Sequence, residues 1–250
     1  MTLYLIRHGQ TDYNAEKRFQ GQADIPLNSI GKDQARRAGL ILQTLLASND
    51  MQSGTPNEKQ NQLGVIASDL LRTRETTALV MNELKQGANE ISWTVNYDSR
   101  LREFHCGLLE NLTYEEFVLQ HPDTATTYMQ SFDQDSYQAR YPGNGGESRV
   151  DVMTRVGAAL LEITPSIEKK NWVWVVHGGV IDVLLELMHI QNPQAIQDRI
   201  SAGNGDVMVL RPKRLGKIVS EMSEKLGHVT SWELQRHYKV GNTIAAKVVR

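Results

Sequence analysis

The sequence has 250 residues and a formal net charge of −2. A chain of this length can bury a full hydrophobic core, so we expect a single domain over residues 1–250. Its composition of 40% hydrophobic and 22% charged residues gives no reason to expect nucleic acid or a membrane as a partner, and the first residues do not resemble a signal peptide. The single cysteine, Cys106, excludes an intrachain disulfide and favours a reducing compartment, which we expect to be the cytoplasm.

Short apolar runs predict five β-strands, and the segments between them predict helices. The strands are expected at Thr2–Ile6, Leu63–Ala67, Ile91–Tyr97, Trp172–Val176 and Asp206–Leu210. Apolar residues recur at helical spacing in Lys32–Leu46, Leu70–Leu84, Glu147–Ile167 and Val180–His189. Asn28 or Ser29 is the expected N-cap of the first helix. Strands that alternate with helices indicate an α/β three-layer sandwich, with a mostly parallel central sheet and helices on both faces.

Three segments fit this alternation poorly. Ser48–Gln62 is polar and rich in turn residues, which predicts a surface loop. His121–Gly146 contains several aromatic residues, so we expect a partly ordered insertion that caps the substrate rather than a linker. In the tail after Arg211, the alternating segment TSWELQRHYKV predicts an edge strand.

Polar side chains follow the ends of four predicted strands. Arg7 and His8 come after the first strand, and Arg72 lies in the first turn of the helix after the second. Glu103 comes shortly after the third strand, and His177 directly follows the fourth. Because ligands of open α/β sheets bind at the carboxyl ends of the strands, we expect these five side chains to converge.

Two arginines, two histidines and one carboxylate suit phosphoryl transfer. Guanidinium groups bind phosphate oxygens in bidentate fashion, and a neutral imidazole is a nucleophile at neutral pH. A second imidazole can donate a hydrogen bond to the phosphoryl oxygens, and a carboxylic acid can protonate the leaving alkoxide. The fixed cations take the role of a metal ion, so we expect no metal and no other cofactor. Taken singly, each residue has a simpler structural interpretation, such as a surface ion pair; only their combination predicts chemistry.

These residues lie in motifs that resemble the histidine phosphatase superfamily, which has the phosphoglycerate mutase-like fold. The motifs occur in the family's order: RHGQT with Asn14, RFQG, SDLLRTRETT, LREFHCGLLENLT, GGES and VVHGG. The resemblance implies that His8 is phosphorylated transiently, and that Glu103 is the acid that later activates water. It implies that the phosphoryl group is held by Arg7, Arg72 and His177 and bordered by Asn14, Gln20 and Gly21. The backbone N–H of Gly178, at a helix start, is well placed for an anion.

Two positions favour hydrolysis over transfer to a second hydroxyl group. In mutases of the family the acid Glu is typically followed by Arg-His-Tyr, and the second histidine by Gly-Asn. Here Glu103 is followed by Phe-His-Cys, and His177 by Gly-Gly. The expected function is therefore metal-independent hydrolysis of a small phosphorylated metabolite. Mutase-type transfer and a non-catalytic, phosphate-binding regulatory module remain as alternatives.

The remaining candidates have structural interpretations. Cys106 is expected to pack in the interior, and the segment GNGGES lacks the lysine of a phosphate loop and is expected to begin a helix. Arg140 and Arg149 are candidates for a second anionic group of the substrate, although surface arginines are the simpler interpretation. Asn111 stands where the family has Gly, away from the inferred chemistry. No metal-ligand spacing is found for His105, His121, His189, His228 and His237. The expected partner is a small phosphomonoester, and a homodimer is left open.

Overall fold

The computed structural model describes residues 2–50, 62–87, 91–163, 170–188, 190, 200–212, 232–241 and 247–249. The α-helices are α1 (Asp12–Ala15), α2 (Ser29–Asp50), α3 (Leu71–Gly87), α4 (Tyr114–Gln120), α5 (Pro122–Gln134), α6 (Arg149–Ile163) and α7 (Gly178–Leu187). The strands are β1 (Leu3–Arg7), β2 (Gln62–Ala67), β3 (Ser92–Tyr97), β4 (Asn171–Val176), β5 (Val207–Pro212), β6 (Trp232–Lys239) and β7 (Lys247–Val249). None of the helices in this part of the chain combines the length and the apolar character needed to span a bilayer.

The strands form one seven-stranded sheet in the order β3-β2-β4-β1-β5-β6-β7. The neighbouring pairs among β3, β2, β4 and β1 are parallel, and the pairs that involve β5, β6 and β7 are antiparallel. Helices connect the four parallel strands, as expected for an α/β fold. All five predicted strands are present, with ends displaced by at most two residues. The predicted α/β sandwich built on a mostly parallel sheet is therefore confirmed.

The two faces of the sheet carry separate hydrophobic clusters, because successive side chains of a strand point to opposite faces. On β1, Leu3 and Leu5 pack with α6 and α7, whereas Tyr4 and Ile6 pack with α2 and α3. All four side chains are fully buried. Burial on both faces fixes β1 in the middle of the sheet, and with it the polar residues that follow its carboxyl end.

Two predicted helix starts have side-chain caps. The Asn28 side chain accepts a hydrogen bond from the backbone N–H of Gly31 at 2.8 Å, which makes Asn28 the N-cap of α2. At the start of α6, Asp151 accepts the backbone N–H of Ser148 at 2.7 Å, and the Ser148 hydroxyl accepts that of Asp151 at 3.3 Å. The GNGGES segment therefore leads into a helix, as predicted.

Some predicted boundaries change. The predicted loop Ser48–Gln62 is shorter, since α2 continues to Asp50 and β2 begins at Gln62, and residues 51–61 lie outside the described residues. The predicted helix ends at 164–167 and at His189 also lie outside them. The predicted edge strand is β6, which pairs with β5 and, over His237–Lys239, with β7. The prediction of an edge strand was wrong for these three residues. Alternation of polar and apolar residues indicates that one face of a strand is buried, but it does not show whether a further strand pairs with it.

The insertion His121–Gly146 comprises α5 and the turns that follow it. A small hydrophobic cluster joins α4 and α5 to the segment after β3; its buried members are Cys106, Leu109, Phe117 and Ala125. Cys106 packs in this cluster with 4% of its surface exposed, and burial raises the pKa of its thiol. The expectation of a packing role for Cys106 is confirmed.

Candidate active site

The carboxyl ends of β1 and β4 bring two predicted site histidines together. The two strands are adjacent and parallel, with Arg7 opposite Val176, so His8 and His177 follow at matched positions. The backbone N–H of His8 extends the ladder by donating to the Val176 carbonyl at 2.9 Å. The ring centroids of His8 and His177 are 5.2 Å apart, with 60° between the ring planes. The convergence expected from the strand ends is present.

The backbone determines which ring nitrogen of His8 can react. Nδ1 lies 2.7 Å from the carbonyl oxygen of Gly9. Because a carbonyl oxygen only accepts, Nδ1 carries the proton, and the lone pair of the neutral ring lies on Nε2. Burial, together with the positive charges of Arg72 and Arg7, holds the pKa of His8 well below its usual value. His8 is thus a neutral imidazole at neutral pH, with Nε2 as its nucleophilic atom.

Backbone carbonyls anchor the guanidinium groups of Arg7 and Arg72. Arg7 donates to Ala202 at 2.6 Å, and Arg72 donates to Ala23 and Gly21, both at 2.8 Å. The Nε atoms of both arginines are buried and have no hydrogen-bond partner among the residues that the structure describes. Burial lowers the pKa of Arg72 to about 10, which leaves it charged at neutral pH. Two fixed cations with unused N–H donors therefore lie beside His8.

His177 is fully buried and contacts Ser68 at the carboxyl end of β2. Its Nε2 lies 2.9 Å from Ser68 Oγ. Ser68 Oγ also accepts the backbone N–H of Leu70 at 3.4 Å, and its own proton is available for His177. The tautomer in which Ser68 donates to Nε2 carries the ring proton on Nδ1, which is buried without a partner among the described residues and would then be a donor for an anion. Sequence reasoning missed this contact, because a lone serine after a strand carries no signal for a histidine contact.

Glu103 reaches the same region from the segment after β3. Its carboxylate accepts backbone N–H groups of Gly179 and Phe104, each at 3.1 Å. Arg155 holds the segment by donating to three carbonyl groups between residues 100 and 103, at 2.6 to 3.0 Å. A Cβ atom at Gly179 would lie 2.5 Å from Glu103 Oε1, so this close approach requires glycine. The start of α7 and Arg155 therefore place the carboxylate.

Asn14 and Gln20 present amide groups to the same region. Asn14 Oδ1 accepts the backbone N–H of Thr11 at 3.1 Å and Nδ2 of Asn204 at 3.2 Å. Gln20 Oε1 accepts the Thr11 hydroxyl at 2.9 Å. Because these bonds use the oxygens, the amide NH₂ groups are the donors left for an anion. Asn204, in the turn before β5, also donates to the His8 carbonyl at 3.1 Å, a contact that sequence reasoning missed.

The two predicted glycines support the arginines. Gly21 has a φ of +51°, and its carbonyl is one of the two that anchor Arg72. A Cβ at Gly21 would lie 2.0 Å from the Glu110 carboxylate. A Cβ at Gly178 would lie 3.1 Å from Cζ of Arg7, so the absence of a side chain lets this guanidinium pack against the first turn of α7.

These groups surround a cavity of about 980 Å³. Most of the predicted site residues line it, namely Arg7, His8, Asn14, Gln20, Gly21, Arg72 and Glu103. His177 and Gly178 lie behind this lining, against His8 and Arg7. Much of the remaining lining comes from residues 128–149, in the predicted insertion and the start of α6.

The described histidines outside this site have structural contacts. The buried His237 pairs with Asp206 at 2.8 Å, His105 accepts a backbone N–H at 3.1 Å, and His121 packs on an aromatic ring of α4. His189 and His228 lie outside the described residues. Within the described part of the chain, no group of three or more His, Cys, Asp or Glu side chains is arranged to hold a metal ion.

Known proteins share this sequence pattern. The model of the histidine phosphatase superfamily, branch 1, matches residues 3–225. A broad-specificity phosphatase of Saccharomyces cerevisiae is 32% identical, over 77% of this chain and 72% of that protein. A glucosyl-3-phosphoglycerate phosphatase of Mycobacterium tuberculosis is 31% identical, over 73% and 72%. A probable phosphoglycerate mutase of Citrobacter koseri is 29% identical, over 74% and 73%.

Solved structures share the fold. The structure of a mycobacterial glucosyl-3-phosphoglycerate phosphatase with VO3 superimposes with a TM-score of 0.60 and 28% identity, covering 84% of this chain and 92% of that one. The sequence match and the fold agree with the order of the motifs along the chain. The chain belongs to branch 1 of the histidine phosphatase superfamily.

Proposed function

We propose that the chain is a metal-independent phosphomonoester hydrolase that acts through a phosphohistidine intermediate on a small phosphorylated metabolite. One observation carries the proposal. His8, whose unprotonated nitrogen is Nε2, packs against His177 and lies in the electrostatic field of Arg7 and Arg72, and each of these three residues has a buried ring or guanidinium nitrogen without a partner among the described residues. A nucleophile beside fixed donors is the arrangement that phosphoryl transfer requires.

In the first half of the reaction, His8 Nε2 attacks phosphorus, and the bond to the ester oxygen breaks. The electron pair of that bond goes to the leaving alkoxide, and Glu103, entering as a carboxylic acid, gives it a proton. Arg7 and Arg72 offset the charge that spreads over the phosphoryl oxygens. No metal ion is needed, because fixed cations supply this stabilisation.

In the second half, the Glu103 carboxylate takes a proton from water while the water oxygen attacks phosphorus. The bond from phosphorus to Nε2 breaks, and its electron pair returns to the imidazole. Inorganic phosphate leaves, and the enzyme regains a neutral His8 and a protonated Glu103. The hydrogen bond from Nδ1 of His8 to the Gly9 carbonyl holds the ring in one orientation through both halves.

The experiment that tests this proposal is a rapid quench during turnover. We expect phosphate bound to the protein that is stable in base and labile in acid, located on His8. The His8→Ala variant should form no such species and should lose more than the ~10²–10³ in kcat expected for one oxyanion donor. His121→Ala, which removes a histidine outside the cavity, is the matched control. Undiminished turnover in His8→Ala would refute the proposal, and loss of activity with chelator would refute metal independence.

A mutase is the second candidate, because one relative is named a probable phosphoglycerate mutase. The Asn that the resemblance expects at position 179 of a mutase would add a Cβ 2.5 Å from Glu103 Oε1, which supports hydrolysis instead. With 3-phosphoglycerate at high concentration, we expect release of inorganic phosphate and no 2-phosphoglycerate. A non-catalytic module is less well supported, because the nucleophile and the carboxylate both line the cavity.

Two further points stay predictions. A cytoplasmic location is supported by the single, buried cysteine, which suits a reducing compartment. Fractionation of the source cells tests it. A homodimer is tested by analytical ultracentrifugation of the purified protein.

A further inference from the structure

Most of the residues that line the cavity are not among the predicted phosphate-binding groups, and several of them are aromatic. A cavity of about 980 Å³ is of the size that encloses a drug-sized molecule, so the leaving alcohol has ample room. Five aromatic side chains form what we call the aromatic wall: Phe19, Phe104, Tyr128, Phe132 and Tyr141. The ring centroid of Tyr141 lies 5.5 Å from Tyr128, 6.2 Å from Phe104 and 6.3 Å from Phe19. Phe132 joins the others through Tyr128, at 6.2 Å between ring centroids, so the five rings form one connected aromatic group.

The sequence offered Arg140 and Arg149 as binders of a second anionic group, and both are already paired. Arg149 lines the cavity but donates to Asp182 at 2.9 Å and to Glu186 at 3.0 Å. Arg140 donates to Asp151 at 2.7 Å and does not belong to the cavity lining. An arginine held by two carboxylates adds no net positive charge to the space that it faces.

The charge of the outer lining is negative. Arg18, the other arginine there, donates to Glu16 at 2.8 Å and to Glu116 at 2.9 Å. Asp133 and Asp135 also line this end, and neither forms an ion pair within the residues that the structure describes. At the inner end, Arg7 and Arg72 are available to bind the phosphoryl group. At the outer end, both lining arginines, Arg18 and Arg149, are already paired with carboxylates.

We propose that the substrates are phosphomonoesters of neutral alcohols with an aromatic or similarly flat apolar portion. This inference rests on the proposed hydrolase function. Such an alcohol packs against the aromatic wall, whereas the exposed carboxylates of Asp133 and Asp135 would repel a distal carboxylate or second phosphate. On this proposal, the substrates of the chain belong to another class than the one for which the relatives called glucosyl-3-phosphoglycerate phosphatase are named.

The test compares 3-phenylpropyl phosphate with 3-carboxypropyl phosphate. Both release a primary alkoxide, so the demand on Glu103 is the same and only the distal group differs. We expect kcat/KM to favour the phenyl ester by at least roughly 30-fold, mostly through KM, because burial of an aromatic ring accounts for the difference.

Variants of Phe132, Asp133 and Asp135 test whether these residues cause the difference in kcat/KM between the two esters. Phe132→Ala should lower kcat/KM for the phenyl ester by about 10-fold and leave the carboxylate ester unchanged. Phe132 is 42% exposed, so its removal should not prevent folding. Asp133→Asn combined with Asp135→Asn should raise kcat/KM for the carboxylate ester several-fold. The matched control is Asp123→Asn, also exposed on α5 but outside the cavity lining, which should change neither substrate.

A third substrate, p-nitrophenyl phosphate, separates the two proposals. One outcome overturns the specificity inference and leaves the hydrolase function intact: p-nitrophenyl phosphate is hydrolysed, and kcat/KM for 3-carboxypropyl phosphate equals or exceeds that for 3-phenylpropyl phosphate. Hydrolysis of p-nitrophenyl phosphate alone, with both alkyl esters inert, also overturns the inference. No hydrolysis of any of the three overturns the hydrolase function and, with it, the inference.

Discussion

The inner and outer ends of the cavity are held in place in different ways. At the inner end, backbone carbonyls fix the reactive side chains: Gly9 holds His8, Ala202 holds Arg7, and Ala23 and Gly21 hold Arg72. At the outer end, side chains hold one another, as when the Tyr137 hydroxyl and Arg149 both donate to Glu186. Backbone segments beside the carboxyl ends of the strands determine the first arrangement, and the packing of the insertion against α6 and α7 determines the second.

This difference separates the chemistry from the choice of alcohol. Groups fixed by the main chain lose little freedom when phosphate binds, and their buried N–H donors are not used by other described residues. Ion pairs between side chains can change without disturbing the sheet. Variants at the inner end should therefore change kcat for every substrate, and variants at the outer end should change the ranking of substrates.

The largest effect is expected for Glu103→Gln, which keeps the shape of the side chain and removes proton transfer. For an alkyl phosphate, kcat should fall by roughly 10²–10⁴. A nitrophenyl ester leaves as a stable anion, so its phosphoryl transfer to His8 should suffer far less. Phosphohistidine should then accumulate, because water is no longer activated, and rapid mixing should show a burst of nitrophenol.

The nitrophenyl ester is the internal control for that variant. An equal loss on both substrates without a burst would mean that Glu103 only holds the start of α7, through its bond with Gly179. Wild-type rates on both substrates would remove Glu103 from the mechanism.

A smaller effect is expected for Ser68→Ala, which removes the partner of His177 Nε2. Without that hydrogen bond the ring proton of His177 is no longer held on Nδ1, and kcat should fall by about 10-fold, the effect of one hydrogen bond. The ¹⁵N chemical shifts of the His177 ring should report the change of tautomer, a readout that a loss of stability alone would not move. Unchanged shifts together with an unchanged kcat would show that Ser68 only bonds the backbone N–H of Leu70 before α3.

The inner end should also make stability depend on pH. Burial and Arg72 hold the pKa values of His8 and His177 well below the ~6.5 of an unfolded chain. Below pH 6.5 the unfolded state therefore binds protons that the folded state does not, and stability falls as the pH drops. The loss is at most about 1.4 kcal/mol per pH unit for each histidine. Urea unfolding at pH 7.5 and 5.5 measures it, His8→Asn should show a weaker dependence, and equal midpoints at both pH values would contradict the assignment.

The sequence predicted the inner end much better than the outer end. Arg7, His8 and His177 could be found because they interrupt apolar runs, and a polar residue at the end of a buried strand has few structural explanations. The partners of Arg149 could not, because Asp182 and Glu186 lie 33 and 37 residues away on α7, and periodicity carries no information on how two helices face each other. A strand end is a property of one segment, whereas an ion pair between helices depends on their packing.

The smallest effect is expected at Asn111, which joins the outer end to the loop after α1. Its φ of +69° lies in the left-handed region, its N–H donates to the Phe19 carbonyl at 2.8 Å, and its carbonyl accepts from Arg18 at 3.0 Å. Asparagine tolerates this conformation, which explains how it replaces the glycine that the family pattern expects. Asn111→Gly should leave the free energy of unfolding within about 0.5 kcal/mol, whereas the β-branched Asn111→Val should lower it by about 1–2 kcal/mol. Both variants should keep the wild-type kcat on p-nitrophenyl phosphate, since the carbonyls of Gly9, Ala202, Ala23 and Gly21 that anchor the reactive side chains do not contact Asn111. A large loss of kcat in Asn111→Val, with stability unchanged, would show that the outer end also controls the chemistry and that the two ends are not separable.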